Sequence, residues 1–213
     1  MTSSSDPHTI ESIAELEALF GPVGEASIRK EVPYLHPHYQ AVIKASPFAV
    51  LATCGPEGLD ASPRGDPAGF VEVRDEHTLL LPERRGNNRV DSLRNIVGDP
   101  RVALLFLVPG VGETLRVNGR ATISVEPALL RRFAMNGQPP KCVLVIAVET
   151  ALFQCSRAIV RANLWQPVPA DAPRPVPTPG EMLQALSQAS TRASIDGEAY
   201  DRALPERVRT TLY

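Results

Sequence analysis

With 213 residues, 43% of them hydrophobic, the chain is long enough for one domain with a substantial core. Its 22 basic and 24 acidic residues give a formal charge of −2, which argues against a general nucleic-acid binder, since such domains carry a clear basic excess. The polar start from Met1 to Ile10 is no signal peptide, apolar runs such as Val102 to Val108 are too short to span a bilayer, and three cysteines (Cys54, Cys142, Cys155) without Cys-x-x-Cys spacing fit a reducing cytoplasm better than a disulfide framework or a zinc site.

Residues 1–8 read as disordered. Thr9 is the expected cap of a helix to Phe20, stopped by Gly21-Pro22, and a second helix is expected over Pro37 to Ala45. The pattern then turns to strand. Phe48 to Thr53 is an apolar run closed by Cys54-Gly55-Pro56-Glu57-Gly58, a hairpin signal, with Leu59 to Pro63 as the return strand. Gly69 to Val73 and His77 to Leu81 form a second pair around the charged turn Arg74-Asp75-Glu76. A helix near 88–97 ends at Gly98-Asp99-Pro100, and Arg101 to Val108 reads as a buried strand. From Thr114 to Val125 the period is two, with Leu115, Val117, Ala121, Ile123 and Val125 on one face and Thr114, Arg116, Asn118 and Arg120 on the other. Pro127 opens a helix to about Met135, and Lys141 to Phe153 is the last long strand. Six or so short strands with tight turns predict a mainly β fold, a small antiparallel barrel with helices outside. Six prolines between 167 and 179 form a semi-rigid spacer that separates this domain, 9–166, from a tail, 180–213, with one helix from Gly180 to Ala189.

Three groups of residues point to chemistry. The run from Pro82 to Asn95 places Arg84, Arg85 and Arg89 with Asn87 and Asn88 around Gly86, just before a helix. Cations at a helix start oppose the helix dipole, so their concentration there makes sense if an anion such as a phosphate sits among them. A solvated basic turn is the competing reading. The second group is the polar face Thr114, Arg116 and Asn118, which a barrel could equally leave to solvent. The third is Arg157, Arg161 and Trp165, which a continuous helix would align on one face, suited to an aromatic anion or to simple packing of the only tryptophan. His36-Pro37-His38 lacks a nearby third ligand, so no metal site is expected. Fingerprints of nucleotide-binding loops and of serine hydrolases are absent from the sequence.

Ser46 to Thr53, Ser62-Pro63-Arg64-Gly65-Asp66, Gly86 to Asn95, Gly112 to Ala121 and the ending Arg161-Ala162-Asn163-Leu164-Trp165 together resemble the pyridoxamine 5′-phosphate oxidase-like FMN-binding proteins, and within them a bacterial subfamily of uncharacterised flavoproteins. The resemblance runs from about residue 9 to 190. It implies a split barrel with FMN at a two-fold dimer interface, both subunits contributing to each site. By position, Asn88 and Arg89 match the family's phosphate-binding pair, Arg64 the arginine that approaches flavin and phosphate, and Thr114 a strand residue near the dimer seam. Arg161 and Trp165 resemble the C-terminal contact region. The arginine–histidine element that holds pyridoxal phosphate in the true oxidases is replaced by Gln154-Cys155-Ser156-Arg157, which speaks against vitamin B6 oxidase activity.

The expectation is therefore a cytoplasmic, homodimeric, FMN-dependent oxidoreductase acting on a small molecule that the sequence does not identify, with no catalytic acid or base assignable. A non-catalytic flavin carrier, sensor or store is the alternative, as is a barrel that holds deazaflavin F420 or haem instead. The apolar strand at 115–125 and the runs at 102–108 and 142–148 offer more apolar surface than a small barrel needs inside, which a second copy would bury. The proline spacer and the tail are expected to carry no residue of the anion cradle.

Overall fold

Apolar residues at every second position build the framework. In the computed structural model, which describes residues 8–188 and 193–213, seven strands form one antiparallel sheet. They are β1 (Phe48–Gly55), β2 (Gly58–Gly65), β3 (Glu72–Asp75), β4 (Thr78–Glu83), β5 (Arg101–Leu107), β6 (Thr114–Ser124) and β7 (Cys142–Gln154). Their order is β2-β1-β5-β6-β7-β4-β3, a mainly β split barrel with helices outside it. Those helices are α1 (Ile13–Phe20), α2 (Glu25–Arg29), α3 (Pro37–Ala45), α4 (Asp91–Gly98), α5 (Pro127–Arg132), α6 (Arg157–Arg161), α7 (Pro179–Gln188) and α8 (Gly197–Thr210).

The core fills the inside of the curled sheet. Leu51, Leu79, Leu81, Phe106, Leu115 and Leu144 are fully buried there, joined by Leu35 and by Ile43 of α3. A smaller cluster of Leu80, Leu129 and Val143 lies under α5. Of the strands suspected of carrying more apolar surface than the barrel needs, Val102, Leu104, Phe106, Leu115, Val117, Leu144 and Ile146 go into this interior, while Leu105 and Leu107 stay half-buried outside it. Val125 departs from the expected face, being 67% exposed just beyond the end of β6.

Local chemistry accounts for the shifted boundaries. The first helix starts at Ile13, not after Thr9, because Ser12 and Glu15 form a capping box: Ser12 Oγ accepts from the Glu15 N–H at 3.2 Å and the Glu15 carboxylate from the Ser12 N–H at 3.0 Å. His36 caps α3 through Nδ1, which accepts from the His38 N–H at 3.2 Å. β3 begins three residues later than expected because Gly69, at φ +85°, sits in a turn closed by the Phe70 N–H on the Pro67 carbonyl. α5 stops at Arg132, and Asn136 and Gly137, both at positive φ, make a tight turn instead of more helix.

β6 and β7 pair along their whole length except at one bulge. Asn118 pairs with Thr150 and Gly119 with Val148, so Glu149 is left over. The buried phase of β7 changes there, from Leu144, Ile146 and Val148 to Ala151. Gly119 is required at this point, since a Cβ would stand 2.2 Å from the Ala147 carbonyl oxygen.

Two segments stand off the barrel. Every residue from 8 to 29 is exposed, including Ile13, Leu19, Phe20, Val23 and Ile28, although two helices form there. At the other end α7 and α8 pack on each other as a hairpin, so the tail has two helices where one was expected. Residues 1–7, expected to be disordered, and Ala189, the expected end of the tail helix, lie outside the described residues. Among the described residues no helix is long and apolar enough to cross a membrane.

Candidate functional site

The sheet does not close by backbone pairing: β2 is one edge and the four-residue β3 the other. Side chains bridge the gap instead. Arg64 of β2 meets Glu83 at the end of β4 (Nε–Oε2 3.1 Å), and Arg84 meets Asp66 just beyond β2 (Nε–Oδ2 2.6 Å). A cleft of about 480 Å³ opens at this split, within the range of small-molecule sites. Its walls are β2 from Asp60 to Gly65, the loop from Arg84 to Val90, the first turn of α4, and Lys141-Cys142 at the start of β7.

Strand periodicity puts the polar residues of β2 on one side. Asp60, Ser62, Arg64 and Asp66 occupy alternate positions, and all four are half-buried between exposed neighbours at 61, 63, 65 and 67. They form a connected network with α4. The buried Ser92 donates to Asp60 Oδ2 at 2.6 Å, Ser62 and Ser92 hydroxyls lie 2.9 Å apart, and Arg64 Nη1 donates to Ser62 at 2.7 Å. These bonds fix the plane of the Arg64 guanidinium. Burial pushes the Glu83 carboxyl above its ordinary range, and the Arg64 charge only partly offsets this. Burial raises the Cys142 thiol likewise, which keeps it a thiol rather than a nucleophilic thiolate.

The cradle loop is strained. Asn88 lies at φ +59° and Val90 at φ +54°, a left-handed conformation that a β-branched residue rarely takes, worth about 1–3 kcal/mol each. Val90 is also the N-cap of α4, and its apolar side chain makes no capping hydrogen bond. That uncapped turn, where backbone N–H groups lack helical partners, is part of the cleft wall. The helix begins at Asp91, so all three loop arginines precede it.

The five cations of the cleft are unequally free. Arg64 and Arg84 are held by Glu83 and Asp66, and Arg84 also donates to the Phe133 carbonyl at 2.6 Å. Arg84, expected as a ligand contact, lines the cleft and is held by these bonds. Arg89 pairs with Asp91 at 2.8 Å in an exposed contact. Among the described residues, Arg85 and Lys141 have no ion pair and remain available to an anion. Asn87 accepts from the Arg89 N–H at 3.0 Å and shapes the turn, while Asn88 lines the cleft and its side chain makes no hydrogen bond among the described residues.

Thr114, Arg116, Arg161 and Trp165 do not line this cleft. Thr114 bonds Gln154 at 3.1 Å, Arg116 lies 3.8 Å from Glu31, and its Nε is buried without a partner. The expected stripe of Arg157, Arg161 and Trp165 is broken, because α6 ends at Arg161 and Asn163 turns to φ +50°. Trp165 instead donates its indole N–H to the Val111 carbonyl at 2.7 Å. Asp60, Ser62, Asp66, Ser92 and Lys141 were missed from sequence, although the alternation from Asp60 to Asp66 was there to be found.

None of the curated proteins matches the chain. Solved structures that match part of the chain include HupZ of Group A Streptococcus (20% identity, 57% of this chain and 94% of that one, TM-score 0.48). Another is a protein from Clostridium acetobutylicum related to general stress protein 26 of B. subtilis, of the pyridoxinephosphate oxidase family (14%, 55% and 86%, TM-score 0.43). A third is a FAD-binding protein from Mesorhizobium loti (16%, 53% and 88%, TM-score 0.38). The family model described as pyridoxamine 5′-phosphate oxidase matches residues 35–155, more than half of the chain and all seven strands, and the protein belongs to that family.

Proposed function

We propose that the protein is an FMN-dependent oxidoreductase, with the flavin phosphate in the Arg85–Arg89 loop. Family membership supports flavin binding. The observation that carries the choice of a phosphorylated flavin is the pair of uncommitted cations, Arg85 and Lys141, in one cleft with an uncapped helix start. Arg89 can exchange its exposed partner Asp91 for a phosphate oxygen, and Asn88 can donate its amide. Arg64, held flat by Ser62, the Pro63 carbonyl and Glu83, offers its one remaining N–H, on Nη2, to the ligand's polar edge. The wall residues Phe70, Pro82 and Leu93 exclude water from an aromatic ring system. When bound, the isoalloxazine supplies the electron or hydride transfer, and the protein positions it.

The second half of the reading is a homodimer. The exposed arm at 8–29 supports it, because helices of eight and five residues are marginal without a packed face. Thr114, Arg116, Arg161 and Trp165, remote from their own chain's cleft, are then the partner's contribution to a shared site. Three free cysteines suit a reducing cytoplasm.

Titration of the apoprotein with FMN and with riboflavin tests the binding, followed by steady-state oxidation of NAD(P)H by the loaded protein. FMN preferred over riboflavin, with turnover, is the expected result. Tight FMN with no reductant accepted would make the protein a flavin carrier or sensor.

A further inference from the structure

The last residue of the chain lies against the cleft wall, 147 positions from the residue that it touches. The Tyr213 hydroxyl donates to Asp66 Oδ1 at 2.8 Å, and the Arg84 guanidinium stands 5.7 Å from the centre of the Tyr213 ring. Asp66 uses its other oxygen to accept from Arg84 Nε at 2.6 Å. A single carboxylate, its side chain 2% exposed, thus ties the C-terminus to the arginine at the head of the cradle loop. The tail, expected to carry no residue of the cradle, reaches the arginine at its head.

The tail is shaped to deliver this residue. α7 and α8 meet at a glycine pair so close that a Cβ on Gly180 would lie 2.1 Å from the Gly197 carbonyl oxygen, and one on Gly197 2.5 Å from that of Gly180. The Gly180 N–H donates to Asp201 Oδ1 at 2.8 Å and the Gly197 N–H to Gln184 Oε1 at 3.0 Å. The hairpin therefore has one register, and it fixes where α8 ends, three residues before Tyr213.

We propose that Tyr213 is a positioning residue for the cleft: docked on Asp66, it steadies Arg84 and with it the Arg85–Val90 loop, so that tail docking and anion binding are coupled. The loop is exposed from Arg85 to Val90 and carries two left-handed residues. Such a segment keeps its shape only if both ends are held. α4 holds one end, and Arg84, gripped by Asp66, the Phe133 carbonyl and the Tyr213 ring, holds the other. Coupling of this kind is reciprocal, so an anion in the cradle also favours the docked tail. The identity of the anion as the FMN phosphate rests on the proposed function; the tail contact does not.

The test uses the full chain with Tyr213→Phe and Tyr213→Ala, with FMN and riboflavin as probes. Tyr213→Ala is expected to weaken FMN about tenfold and riboflavin less than about twofold. Tyr213→Phe, which keeps the ring beneath Arg84, falls between wild type and Tyr213→Ala for FMN. In the apoprotein, amides 85–90 exchange faster in Tyr213→Ala than in wild type. If wild type binds FMN and Tyr213→Ala binds it equally well, the proposal is overturned whatever the exchange shows. If wild type binds no FMN, the flavin reading fails instead and exchange alone decides: faster in Tyr213→Ala upholds the positioning role, unchanged exchange overturns it.

Discussion

The cleft separates arginines that look alike in sequence. Arg84, Arg85 and Arg89 crowd one short loop, yet only Arg85 is unpaired, Arg89 holds an exposed partner, and Arg84 is held by Asp66 and the Phe133 carbonyl. Replacing Arg89 by alanine removes one charge-assisted contact to phosphate, worth about 1.5–3 kcal/mol, so FMN affinity should fall roughly tenfold to a hundredfold. Riboflavin should hardly respond, and equal calorimetric losses for both ligands would show that Arg89 does not read the phosphate. Glu83 makes a pH-dependent counterpart. Its pKa is raised by burial, so it is neutral below that raised value and ionised above it. The sign follows: as pH rises through the raised value, the new carboxylate claims Arg64 and opposes an anion in the cleft, and stability held by the protonated form is lost. Glu83→Gln should therefore bind FMN more tightly than wild type at pH 8, by about threefold to tenfold, with the gap closing in acid. A gap that stays constant across the titration would remove Glu83 from the account. Position in the sequence revealed the cradle, and resemblance added Arg64. Neither could show which cation is free, because Asp66 and Phe133 meet Arg84 only once the sheet has curled.

At the scale of elements, period two and turn residues were enough to place β1, β2 and β4 to β7 near their observed bounds, while β3 was expected three residues early and Arg74 and Asp75, expected in its turn, belong to the strand. The misses had local causes. Thr9 lost the helix start to Ser12 because only Ser12 has a glutamate three residues on. The stripe of Arg157, Arg161 and Trp165 assumed a continuous helix, and Asn163 ends it. No periodicity rule marks the bulge at Glu149, since it depends on the pairing of two long strands. It leaves a clear mark on Gly119, whose missing side chain admits the Ala147 carbonyl. The two nearest atoms, the Ala147 carbonyl oxygen and carbon, belong to backbone, so Gly119→Ala cannot be relieved by a rotamer change. It should cost about 2–3 kcal/mol in urea unfolding, as overpacking does. A variant as stable as wild type would mean that the bulge relaxes freely.

The whole molecule is a barrel closed by ion pairs rather than by its last strands, with an N-terminal arm that is exposed at every residue from 8 to 29. The amphipathic signal of the arm was readable in sequence, but its exposure along the whole stretch was not. A second copy is the cover we propose. Wild type should scatter light as a dimer at micromolar concentration, and removal of residues 1–29 should shift it towards the 23.0 kDa chain's own monomer size. A wild-type monomer would rule out a shared site. The return of Tyr213 to Asp66 was equally unreadable, being a contact between chain positions 147 apart. What the barrel holds is the central claim, and the absorption spectrum of the purified protein, with the mass of the ligand released by heat, tests it most directly. The account predicts the two-band spectrum of oxidised flavin and a released ligand with the mass of FMN. The intense band of haem, the spectrum of deazaflavin F420, or a colourless protein that takes up no added FMN would contradict it.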